Sequence, residues 1–229
     1  MKTRLTLEVI VQSVADARAA AEGGADRLEV VRAIDVGGLT PALDLVHEIA
    51  AAVRLPLRVM VRGNNDFTIR DGELVSLQAA ARSLEAANVD GIVMGFADGA
   101  ELRMPDLDAV LAAAPRVSVT FHRAFDSLAD PLKALPVVAA CAQVDRILSR
   151  GGHGTPEARV QVLRRYSQAA GRLTIIAGGG IDDTVAAMFA RSGCVREIHI
   201  GRAARADGNA ESAVSAHRVA NLRRILDDD

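Results

Sequence analysis

Three carboxylates, several arginines and two imidazoles fall on or at the ends of runs that read as β-strands. Such a set suits proton transfer on a small charged molecule. The densest stretch is Val117-Ser118-Val119-Thr120-Phe121-His122-Arg123-Ala124-Phe125-Asp126. Side chains alternate along a strand, so Ser118, Thr120 and His122 share one face while Val117, Val119 and Phe121 share the other. The apolar face can pack under helices, which leaves hydroxyls and an imidazole for an interior.

The same alternation applied to the other β-branched runs selects Thr6 and Glu8, then Arg27, Glu29 and Val31, then Arg58, Met60 and Arg62, and finally Glu197 and His199. Burying charge without partners is costly. Glu8, Glu29 and the arginines must therefore neutralise one another, a ligand or a metal. Glu8, Glu29 and His122 could move protons, with His199 as a further titrating group or ligand and Arg62 holding an anion. The plainer alternative makes Glu8 or Glu29 a structural partner of an arginine, His122 a satisfied core histidine, and Arg123 with Asp126 a pair beneath a loop. Gly178-Gly179-Gly180 and Gly201-Arg202 follow two late strands, where backbone N–H groups with Arg202 or Arg205 could bind phosphate or another anion. Tight turns with ordinary surface arginines would leave the same trace.

These residues need a frame that brings strand ends together. Strands are expected over residues 5–11, 27–31, 57–61, 91–94, 117–121, 145–148, 173–177 and 196–200, each followed by a helix. Ser13 is expected to cap the first helix, Thr40 with Pro41 to start the second, and Pro131 and Thr155-Pro156 to start later ones. The last helix is expected from about Ala210 to Leu226, with Asp227 to Asp229 fraying. Eight strand–helix units in 229 residues, without a linker or composition break, predict a single-domain (β/α)8 TIM-type barrel over residues 1–229. An open doubly wound sheet is the alternative.

Composition narrows the partners. A net charge of -2 implies no nucleic-acid partner, and with aromatics at 3% base-stacking surfaces are not expected. No apolar run approaches the roughly 18 residues that would span a bilayer. Two cysteines without paired spacing, Cys141 and Cys194, suit a reducing cytoplasm. The only lysines are Lys2 and Lys133, and neither falls on a strand end, which argues against Schiff-base chemistry. Helices around a barrel could form a homodimer face.

Several motifs, taken together, resemble the CutC family of copper homeostasis proteins. They are Leu7-Glu8-Val9, Glu22-Gly23-Gly24-Ala25-Asp26-Arg27-Leu28-Glu29, Gly37-Gly38-Leu39-Thr40-Pro41, Met60-Val61-Arg62, Thr120 to Asp126, Asp145-Arg146-Ile147-Leu148, Gly178-Gly179-Gly180 and Arg196-Glu197-Ile198-His199. The resemblance implies a cytoplasmic TIM-type barrel, a link to copper and no assigned reaction. Members of that family often carry a cysteine after the Glu of the second strand, where this chain has Val31. Copper(I) prefers thiolate and thioether ligands, so Met60 and Met94 remain as soft candidates. A hard divalent ion on the carboxylates and His122 or His199 is a variant. Three functions stay open: a copper-binding protein, an isomerase, epimerase or lyase acting on a small anionic or phosphorylated metabolite, and a non-catalytic binding barrel.

Overall fold

A computed structural model describes residues 4–228. Eight parallel strands close into a barrel: β1 (Thr6–Val11), β2 (Arg27–Val30), β3 (Leu57–Met60), β4 (Gly91–Met94), β7 (Val119–Phe121), β8 (Val144–Ser149), β9 (Thr174–Ala177) and β10 (Glu197–Ile200). Their order around the barrel is β1-β10-β9-β8-β7-β4-β3-β2. Between β4 and β7 the chain makes a short antiparallel ribbon, β5 (Ala97–Asp98) with β6 (Glu101–Leu102), which the sequence reading missed. Two-residue strands carry too little periodicity to be read from a sequence.

The alternation sorts the strands as expected. Leu7, Val9, Leu28, Val59, Ile92 and Phe121 are buried outward, under the helices. The polar partners on the same strands turn into the barrel, so both faces of β2, β3, β4 and β10 are buried. Register places Glu8 beside both Arg27 and His199, Glu29 beside Arg58, and Val93 beside Thr120.

Several helices begin on side chains that accept an otherwise unpaired backbone N–H. Among them, Ser13 caps α1 (Val14–Glu22), Asp130 caps α5 (Pro131–Ala140), Thr155 caps α6 (Pro156–Ala169) and Asp182 caps α7 (Asp183–Ser192). Thr40 does otherwise. The helix α2 (Leu43–Ala52) starts two residues beyond Pro41, and the Thr40 hydroxyl accepts from the Arg62 N–H at 2.8 Å and meets the Arg62 carbonyl at 3.0 Å. It ties two mouth loops together instead. The last helix, α8 (Ala216–Asp228), also starts later than expected. Residues 205–215 are held as a loop by the Arg205–Val214 bridge and by Asp16, which accepts from Val214 N–H at 2.8 Å. The remaining helices are α3 (Glu73–Ala86) and α4 (Met104–Leu111). Among the described residues no helix is long and apolar enough to cross a membrane. Lys2 and Asp229 lie outside the described residues.

Candidate functional site

The floor of the barrel is an ion network. Arg58, 2% exposed, bonds Asp90 at 2.6 Å and grips Asp145 through two nitrogens at 3.0 and 2.8 Å. It crosses over Gly91, where an added Cβ would stand 2.4 Å from its Nη1, so only glycine leaves room. Above it, Arg27 bridges Glu8 and Glu197, and Arg146 reaches Glu197 at 3.2 Å. These contacts close the N-terminal end of the barrel.

Glu8 is fully engaged. One oxygen takes Arg27 Nε at 2.5 Å and the other meets His199 Nδ1 at 2.7 Å. Burial pushes its carboxyl up, but Arg27 and His199 outweigh burial and hold it well below the usual range. Glu29 differs. It is 2% exposed, Oε2 lies 3.3 Å from His199 Nε2, and Oε1 has no partner. Burial, helped by the neighbouring Glu8, outweighs His199 and Arg27, and the carboxyl is pushed up to about 7. His199 therefore stands between two carboxylates, which raise it against its own burial. Glu29 and His199 thus face each other inside the barrel, with Glu8 on the other ring nitrogen. A second buried polar atom, Thr120 Oγ1 on β7, is also unpaired on the inward face.

His122 sits at the mouth, 4% exposed. Its Nδ1 accepts from the Ala124 N–H at 3.2 Å, so the ring proton belongs on Nε2. Burial and the nearby Arg62 lower it to about 3, and it stays neutral at physiological pH. It can donate a hydrogen bond from Nε2, but it has no free lone pair for taking a proton. The Arg62 guanidinium stacks 4.9 Å over Phe67, whose ring lies 5.2 Å from that of His122. Its donors point at the carbonyls of Asp66, Asn65, Val36 and Gly38, which hold it as a strut between loops.

An apolar layer covers Glu29. Val31, Met60 and Val93 pack with Ile10 and with Ile34 from the loop over residues 32–39. That loop is closed by a reciprocal backbone pair between Arg32 and Leu39 and contains Ala33 at φ 51°.

On the far side of the mouth, Arg123 pairs with Asp126 at 3.0 Å. Asp126 also accepts from Ser149 Oγ at 2.6 Å and from the Arg150 N–H, fixing the end of β8. Gly178, Gly179 and Gly180 turn beside this cluster. Gly201 instead backs onto Ile10 and Ile34, and Arg202 is exposed on a separate short turn. The structure thus brings together Glu8, Glu29 and His199 at one depth, His122 with Arg62 at the mouth, and Arg123 and Asp126 with the glycine turn. Arg202 lies apart. Sequence reading gave no role to Arg150 or Arg159. Only an arginine just past a strand end, or facing inward from a helix, could have signalled them.

The donor set does not fit copper(I). Met60 faces the apolar layer, whereas Met94 is buried outward against the helices and not inside the barrel. Cys141 ends α5 and Cys194 precedes β10, both toward the N-terminal end of the barrel. Among the described residues no group of three or more His, Cys, Asp or Glu side chains is arranged to hold a metal ion. Soft ligands do not converge anywhere in the site, and copper(I) sites require that.

Comparison with known proteins places the barrel in a family. The CutC family model matches residues 5–204. A family protein CutC from Xylella fastidiosa (strain Temecula1) is 34% identical over 217 residues, covering 93% of this chain and 78% of the relative. One from Klebsiella pneumoniae subsp. pneumoniae is 31% identical over 241 residues, covering 96% and 97%. The human copper homeostasis protein cutC homolog is 32% identical over 180 residues, covering 77% and 66%. A crystal structure assigned to CutC from Streptococcus agalactiae superposes with a TM-score of 0.77 at 21% identity over 85% of this chain and 97% of that one, which shows the shared fold. The matched segment spans every barrel strand and every inward charge described above, and on that ground this chain belongs to the CutC family.

Proposed function

We propose that this chain is a proton-transfer enzyme of isomerase or epimerase type, acting on a small anionic metabolite at the barrel mouth, and that its link to copper homeostasis does not run through a copper(I) site of its own. One observation carries the reading: Glu29 is a buried carboxyl with one oxygen unpaired, poised near 7 beside His199. A general base works best with a pKa close to the working pH. Glu29 would take a proton from carbon next to a carbonyl. The C–H electron pair moves into the carbonyl, and His122 Nε2–H stabilises the oxygen that gains charge, as a neutral imidazole donor can. His199, anchored by Glu8, holds the positive charge that faces the ionised Glu29. Returning the proton to the same or a neighbouring carbon completes an epimerisation or an isomerisation. Lys133, the one lysine among the described residues, stands with its side chain 87% exposed on α5, away from the site.

The loop carrying Ile34 must move for a ligand to reach Glu29, which is consistent with a mouth closed by apolar contacts. The test is solvent deuterium exchange by NMR over a panel of sugar phosphates and 2-oxo acids in D2O. Incorporation at carbon by the wild type, lost in Glu29→Gln, supports the assignment; exchange that survives Glu29→Gln sinks it. A copper(I) competition titration with bicinchoninate checks the second half. Tight one-to-one binding would restore a direct copper role.

A further inference from the structure

The site described so far has no group that neutralises an anionic substrate, since Arg62 is spent on carbonyls and Arg202 lies apart. Two guanidiniums elsewhere at the mouth remain available. Arg123 uses Nε on Asp126, leaving both Nη groups without a partner among the described residues, and its side chain is 43% exposed. Arg150, at the end of β8, has no side-chain partner among the described residues, and its Nε is buried and unsatisfied. Both border the same turn. A methyl group built on Gly179 would stand 3.4 Å from Arg123 Cζ, and one built on Gly180 would stand 3.8 Å from Arg150 Nη2.

Arg159 fixes which way that turn faces. Its Nη2 donates to the carbonyls of Gly178 and Gly179 at 3.2 and 2.8 Å, and its Nε donates to Arg150 O at 2.8 Å. In a trans peptide the N–H points opposite to the carbonyl. The N–H groups of Gly179 and Gly180 therefore point away from Arg159, and neither has an acceptor among the described residues. Because both carbonyls converge on Arg159 Nη2, the two N–H groups lie together on the opposite side of the turn, and the φ values of 77° and 62° are the left-handed backbone that glycine permits there. Arg123, Arg150 and Arg159 face Asp126 and the cap residue Asp182. Asp126 is already engaged by Arg123, Ser149 and the Arg150 N–H, and Asp182 by the Val185 N–H. Three positive charges against two committed carboxylates leave a surplus.

We infer that the Gly179–Gly180 turn, flanked by Arg123 and Arg150, is a subsite for the phosphoryl group of the substrate. Two N–H donors and two guanidiniums suit a dianion with three equivalent oxygens better than a carboxylate. The assignment rests on the proposed reaction for its meaning, since it names the end of the substrate remote from Glu29. It also moves the anion site away from Gly201 and Arg202, toward β7, β8 and β9.

Inorganic phosphate is the probe, titrated into the full chain at constant ionic strength and followed by calorimetry, with acetate as the carboxylate comparison. Saturable phosphate binding is expected, weakened at least tenfold in Arg150→Gln and in Arg123→Gln, partly restored in Arg150→Lys and unchanged in Arg202→Gln. Melting without phosphate checks that each variant is folded. Absence of saturable binding overturns the subsite. So does equal affinity for acetate, or phosphate binding that folded Arg150→Gln and Arg123→Gln retain in full. Glu29→Gln is expected to bind phosphate as the wild type does. A chain that binds phosphate but exchanges no carbon-bound proton defeats the proposed reaction alone. One that exchanges protons yet ignores phosphate defeats the subsite alone.

Discussion

Replacing Glu29 by glutamine should stabilise this protein at pH 8 and do little at pH 5. A carboxyl moved from its ordinary 4.5 to about 7 binds its proton more tightly in the folded state than in the unfolded chain. Its contribution to stability is fully present below 4.5 and is lost as pH rises through 7. The span between those values corresponds to about 3 kcal/mol. His199 acts in the same direction: raised when folded, its contribution is present below 6.5 and lost as pH climbs through its folded value. The wild type should therefore lose stability between pH 5 and 8. Glutamine fills the same space and carries no charge, so the variant keeps the share that Glu29 loses, while His199 still titrates against Glu8. Each kcal/mol moves the melting temperature of a domain this size by roughly 2–4 °C, so the variant should melt about 6–12 °C higher at pH 8. Thermal melts by circular dichroism at both pH values provide the measurement. A variant that melts lower than wild type at pH 8, or one whose difference ignores pH, would refute a buried, half-paired Glu29.

Three further outcomes follow from the contacts. Arg27→Met strands Glu8 and Glu197 inside the barrel and should cost about 3–5 kcal/mol in urea unfolding at pH 7, with the deficit shrinking as acid protonates the carboxylates. Asp126→Ala removes the acceptor shared by Arg123, Ser149 and the Arg150 N–H; it should cost about 2–3 kcal/mol and speed hydrogen exchange over residues 150–154. Ser13→Ala loses the cap of α1 and should cost about 1 kcal/mol, without affecting phosphate binding or proton exchange.

Much of the barrel was legible because each strand reports its own faces. Alternation alone turned Glu8, Glu29, Thr120, His122 and His199 inward, and start signals found the Ser13 cap and the helices that open at Pro131 and Thr155-Pro156. Pairing was not legible, because it is decided by closure. Glu8 and His199 are 191 residues apart, and only the meeting of β1 with β10 makes them neighbours. Nothing in the sequence distinguishes the satisfied Glu8 from the half-satisfied Glu29. Arg62 looked like an anion holder until four carbonyls claimed it, and carbonyls leave no mark in a sequence. Thr40 before Pro41 looked like a helix cap, yet tertiary bonding to Arg62 took its hydroxyl.

The ion network beneath Arg58 carries a kinetic consequence. With that end of the barrel stoppered by the Arg58 pairs to Asp90 and Asp145, the way into the interior lies toward the opposite end, beside Ile34. In the proposed reaction, product would leave by the path the substrate used. The pace of that proposed turnover would then be set by how often the loop carrying Ile34 swings open.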